Sequence, residues 1–156
     1  MELIKALSDV RDFIKELKEY YALKNKVLFT SGSGWTTGTK TIKNISKYRT
    51  VMVYTWDGLN GVILERVSDT RIHGGGMVQG VSSVGIQTTL DVDLACNGDA
   101  VTLKNSRYLH HQTASNHGTI ATIGILKIVG VDPIIPESLK TLGGARRSLA
   151  WRWLPC

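Results

Sequence analysis

Residues 48–56 read YRTVMVYTW. Val51, Val53 and Thr55 alternate with Met52 and Tyr54, the period of a strand that turns one face to a core. β-Branched and aromatic residues suit such a pleated, half-buried surface. The same reading extends in both directions. Upstream lie VLFTSGSGW (27–35) and TKTIKNI (39–45), with a Ser/Gly turn inside the first. Downstream, GVILERV (61–67) follows the turn signals Asp57-Gly58 and Asn60-Gly61. Residues 71–96, RIHGGGMVQGVSSVGIQTTLDVDLAC, read as two strands separated by glycine-rich bends. Asn97-Gly98-Asp99 is a hairpin signal before DAVTLKNSRYLHHQ (99–112). TIATIGILKIVGV (119–131) reads as one long apolar closing strand in a central position. About eight short strands without helical crossovers predict an antiparallel β-sandwich of jelly-roll-like topology.

The first 25 residues break this pattern. Leu3, Leu7, Val10, Ile14, Leu17 and Tyr21 are spaced by 4, 3, 4, 3 and 4, the a/d seam of a heptad repeat. Ala6, Phe13 and Tyr20 form a second row beside it and widen the apolar face. Two uses fit that face: a coiled coil with copies of the chain, or packing on the chain's own body. An isolated helix of three heptads is marginal in water, so its stability has to come from a partner or from the β body. The chain thus divides into an oligomerisation helix (1–25), a β head (26–133) and a tail (134–156). The tail holds a possible short helix at Pro136-Glu137-Ser138 and a cationic, tryptophan-rich end at Arg146, Arg147, Trp151, Arg152 and Trp153. Apolar surface of that kind is expected to dock, as a segment for contacts with other proteins.

Composition narrows the function. With 42% apolar residues the chain can build an ordinary core, and 16 glycines against three prolines suit a β protein rich in turns. No apolar run has the roughly 18–20 residues of a membrane helix, and no signal peptide is visible, so no membrane role is expected. The net charge of +6 permits attraction to polyanionic surfaces. Lys and Arg are nevertheless scattered, without the basic stripe and interleaved aromatics of a nucleic-acid groove, so no nucleic acid is expected. Cys96 and Cys156 set no disulfide framework.

Chemistry is sparse. His110 and His111 are adjacent on a strand and point to opposite faces, so a shared ion is disfavoured; His117 sits in a Ser-Asn-His-Gly turn. Gly74-Gly75-Gly76 lacks the Lys-Ser/Thr of a phosphate loop and reads as a bend or a close backbone approach. Asp91 and Asp93 share the solvent face of one strand, and the nearest alternative carboxylate pair is Asp57 with Glu65. No nucleophile elbow is present. The expectation is a non-enzymatic protein without catalytic residues, metal or cofactor. Trp35, Trp56, Tyr48, Tyr54 and Tyr108 are the aromatics that could stack on sugar rings, though Tyr48 and Tyr54 bracket an apolar strand and read as core. Trp56 and Asp57, at a strand end, and the turn residues Ser115, Asn116 and His117 are the candidate ligand contacts.

The order of these pieces resembles the small C-terminal β domains of tail-fibre and related fibre proteins in phages and prophages of Gram-positive bacteria. The matching pieces are Val27–Phe29, Thr41–Val53 and Ile125–Val131, with LDVDLACNGDAVTLKNSRY (90–108) fitting the threonine-rich middle. The resemblance covers about residues 27–131 and carries over no catalytic residue. It implies a homotrimeric β module on a coiled-coil stalk, located in the virion after assembly in the host cytoplasm, and used as a fibre or to bind host-surface carbohydrate. The initial methionine and short stalk fit a short head or tail fibre better than the tip of a long one. A capsid or baseplate decoration protein, held to other virion proteins through 1–25 or 134–156, is the alternative.

Overall fold

The structure is a computed structural model that describes residues 2–55, 61–79, 87–111 and 117–140, without the side chains of 77–79, 87–88, 108–111 and 117–121. Helix α1 (Glu2–Leu23) is followed by β1 (Lys26–Trp35), β2 (Gly38–Thr41), a 3-10 turn (Ile45–Lys47), β3 (Tyr48–Thr55) and β4 (Gly61–Ser68). Then come β5 (Arg71–Gln79), β6 (Gln87–Asn97), β7 (Ala100–His111), β8 (His117–Thr122) and β9 (Ile125–Pro133). Two compact units result: Asn25–Pro133, and the described residues of 1–24 with those of 134–156.

The protein is mainly β, and every strand pairing is antiparallel. Among the described residues nine strands form one continuous sheet in the order β1-β9-β3-β4-β5-β6-β7-β2, with β8 also on β7. The mainly β, antiparallel character expected from the sequence is thus present, in one curled sheet. The physical reason for the curl lies at Ile123-Gly124. The stretch read as a single closing strand breaks there into β8, which pairs with β7, and β9, which pairs with β3. The chain therefore joins the two ends of the β3–β7 meander, and the sheet curls. Ser106 marks the last rung before the two strands part: its hydroxyl donates to the Ile123 carbonyl at 2.7 Å, and the Ile123 N–H donates to its carbonyl at 3.1 Å.

Where β9 diverges from β7, β1 and β2 fill the opening. β1 lies along β9 and β2 along β7. At the apex two backbones meet. A Cβ built on Gly124 would stand 2.9 Å from Cα of Gly34, and one on Gly34 would stand 3.1 Å from Cα of Gly124. Gly34 also has φ +79°, in the left-handed region that favours glycine. Beside this crossing Trp35 is buried against Phe29, its Nε1 donating to the Thr37 carbonyl at 2.9 Å.

The core follows the period of two. Val51 and Val53, Val62 and Leu64, Leu90, Val92 and Leu94, and Val101 line the inside. Tyr48 is fully buried and its ring lies over Gly130, where an added Cβ would come 2.1 Å from ring carbon Cε1. Arg66 continues the inward phase of Val62 and Leu64. Its guanidinium donates to the carbonyls of Tyr48 (2.9 Å), Asp69 (3.0 Å) and Ile45 (2.8 Å), so the cation satisfies backbone carbonyls rather than a carboxylate. Burial pushes the nearby Cys96 thiol up, with Arg66 opposing.

Two shorter stretches also depart from expectation. The strand expected at 39–45 ends at Thr41, because Asp99 captures the chain: Ile42 N–H donates to its carbonyl at 2.7 Å and Asn44 N–H to its Oδ1 at 2.9 Å. Asn44 takes φ 66° there, and Ile42 and Ile45 drop into the core. Gly74-Gly75-Gly76 lies inside β5 rather than at a bend. A Cβ on Gly74 would meet the Ile63 carbonyl at 2.6 Å and one on Gly75 the Leu90 carbonyl at 2.3 Å, so the glycines permit the close backbone approach that was the other reading.

Gly130→Ala should lower stability by about 3 kcal/mol, since the new methyl displaces a ring that has nowhere to go; urea melts measure this. Burial also raises the Tyr48 phenol above its ordinary value. Its contribution is complete below about pH 10, the pKa of unfolded tyrosine, and is lost as pH climbs through the raised value. Melting temperature should therefore fall less steeply above about pH 10 in Tyr48→Phe than in the unmodified chain.

Candidate functional site

Helix α1 has 22 residues and no buried side chain. It ends where Asn25 adopts φ 56°, a left-handed C-cap. Five of the six seam positions are exposed: Leu3 by 73%, Leu7 by 62%, Val10 by 54%, Ile14 by 45% and Tyr21 by 59%. Leu17 is half-buried. Ile4, which the heptad reading passed over, is 75% exposed and extends the same apolar surface. The neighbouring row behaves differently: Phe13, Glu16, Tyr20 and Leu23 are half-buried, while Ala6 is exposed. Glu16 accepts a hydrogen bond from the Ser138 hydroxyl, so the segment after β9 engages this side of the helix. That segment begins a helical turn, with Leu139 and Lys140 N–H groups donating to the Pro136 carbonyl. The chain thus covers one flank of α1 and leaves the seam open.

Trp56, Asp57, Ser115 and Asn116 lie outside the described residues, and His117 enters only through its backbone, paired with His111. Of the other aromatics, Trp35 and Tyr48 are in the core and unavailable to a sugar. Tyr54 is half-buried on the outer face, with Lys127 Nζ 4.1 Å from its ring centroid, a cation–π contact. The side chain of Tyr108 lies outside the described set.

The outer face of β5–β7 carries an ion-paired array. Arg71 grips Asp93 with two bonds of 2.9 and 3.1 Å, and this keeps its guanidinium above the ordinary arginine value. His73 Nε2 lies 2.9 Å from Asp91 Oδ1, and Asn105 donates to the other oxygen of Asp91 at 2.5 Å. Asp91 and Asp93 are therefore each held by a neighbouring strand, an arrangement that braces the sheet rather than presenting two opposed carboxylates across a cleft. Among the described residues no group of three or more His, Cys, Asp or Glu is placed to hold a metal ion. Nor is any described helix long and apolar enough to cross a membrane.

The surface with the clearest unmet demand is therefore the α1 seam, and its spacing made it readable from sequence. No family model matches the chain, and neither a curated protein nor a solved structure matches it.

Proposed function

We propose that this is a non-enzymatic structural protein of a virion, a short homotrimeric fibre of head, tail or baseplate. Its N-terminal helices form a parallel coiled coil through Leu3, Leu7, Val10, Ile14, Leu17 and Tyr21. Its β unit is the displayed head, the two sides of the curled sheet packing on each other as in a jelly-roll-like sandwich. The observation that carries this reading is a helix with no buried side chain whose heptad seam stands open to solvent. Such a helix gains stability by mass action when copies cover the seam. Ile4 and Ala6, exposed beside the seam, widen the apolar face toward what three strands can cover. The head then offers its loops, with Trp56 and Asp57 in the β3–β4 connection, to host-surface carbohydrate.

One observation favours a second reading. Ser138 and Glu16 tie the segment after β9 to the helix, so the two terminal segments form one unit separate from the sheet. Such a unit suits a capsid or baseplate decoration protein that docks on other virion proteins through 1–25 or 134–156 and binds no host ligand.

Light scattering decides the first point. The full chain should have the mass of a trimer, and Leu7→Asp with Ile14→Asp should reduce it to monomer while the melting of the β unit is retained. A trimer that survives both substitutions sinks the coiled-coil reading. Glycan-array binding that disappears in Trp56→Ala supports the receptor role, whereas binding only to capsid or baseplate protein supports the decoration role.

A further inference from the structure

An antiparallel sheet with one solvated face normally turns polar residues outward. Here the outer face breaks that rule along one line. Val27 of β1 is paired with Val129 of β9, Val129 with Met52 of β3, and Met52 with Ile63 of β4. Directly opposed residues share a face, so these four side chains form a continuous apolar row across four strands. At about 4.8 Å between strands it is roughly 14 Å long. Val27 is 53% exposed and Ile63 50%, while Met52 and Val129 are half-buried by one another and their neighbours.

Charge is divided by this row. On one side Glu65 and Asp132 both lie opposite Thr50; on the other, Lys127 lies opposite Tyr54. Turning a second copy about an axis along the row sets Lys127 of one chain against Glu65 and Asp132 of the next. Turning it about an axis along the strands would set acid on acid. The face is thus complementary to itself in one orientation.

We propose that the Val27–Val129–Met52–Ile63 row is a two-fold contact between β units of chains in two different trimers, its register set by Lys127 against Glu65 and Asp132. The proposal rests on the oligomeric reading above and adds a second interface to it. Within one chain Lys127 and Glu65 are at least about 13 Å apart along the strands, so rescue between them can arise only across chains.

The test is sedimentation of the full chain over a dilution series. Ile63→Glu, Lys127→Glu and Glu65→Lys should each raise the concentration at which paired trimers separate, by about tenfold, and Lys127→Glu with Glu65→Lys together should recover most of the loss. Thermal melts confirm that each variant folds, and the two charge variants carry the test should Ile63→Glu not fold. Unchanged dissociation in all variants overturns the proposal and leaves the helix seam standing. A full chain that is monomeric at every concentration overturns both. Unchanged mass with lost binding to host cells or virion protein in Ile63→Glu assigns the row to a foreign partner and overturns it as well.

Discussion

The β unit depends on the place where two backbones touch. Gly34 and Gly124 sit at the crossing of two bent chain segments, each too close to the other for a side chain at either position. The bend at Gly124 directs β8 to β7 and β9 to β3; the segment carrying Gly34 supplies β1 to β9 and, past Trp35, β2 to β7. Without that approach the strands on either side could not share the curled sheet, and Trp35 would lose its buried place beside it. The tight fit of Tyr48 over Gly130 and the arginine that gathers three carbonyls then settle details of an interior whose shape is already determined.

The two units place their apolar residues in opposite ways. Val51, Val53, Leu64, Ile72 and Leu94 are fully buried inside the sheet, whereas Leu3, Ile4 and Leu7 on the helix are largely bare. A protein at equilibrium seldom leaves so regular an apolar surface uncovered unless something outside the chain covers it. The same logic applies, on a smaller scale, to the row on the outer face of the sheet. One surface is helical and one is strand, and each follows the periodicity of its own backbone.

Much of this was legible in the residues. Alternation located β3, the Asn97-Gly98-Asp99 turn located the β6–β7 hairpin, with Gly98 at φ 58°, and heptad spacing located α1. What was hidden depends on distant neighbours. Residues 119–131 are almost all strand formers, and Gly124 is only a weak local sign of a bend; its partner Gly34, far back in the sequence, explains why β8 and β9 part there. Asp99 ends β2 from across the fold, which no window around Thr41 could show. The apolar row on the outer face appears only when the register of four strands is known, because each member alone is an ordinary exposed residue. The glycan-contact candidates fall largely outside the described residues, so their part in any site still rests on sequence.

The pairing of β1 with β9 has a consequence for the order of events during synthesis. Lys26 and Gly130 are neighbours in the sheet but about a hundred residues apart in the chain. The β3–β7 meander joins strands that follow one another, and its pieces can pair as they leave the ribosome. β1 cannot, because its partner is made last. Loop closure over such a separation is slow. α1, by contrast, is complete before any strand exists. In a polysome, the α1 helices of adjacent nascent chains are therefore exposed while every sheet is still open, so the helix association proposed above would precede closure of the sheet.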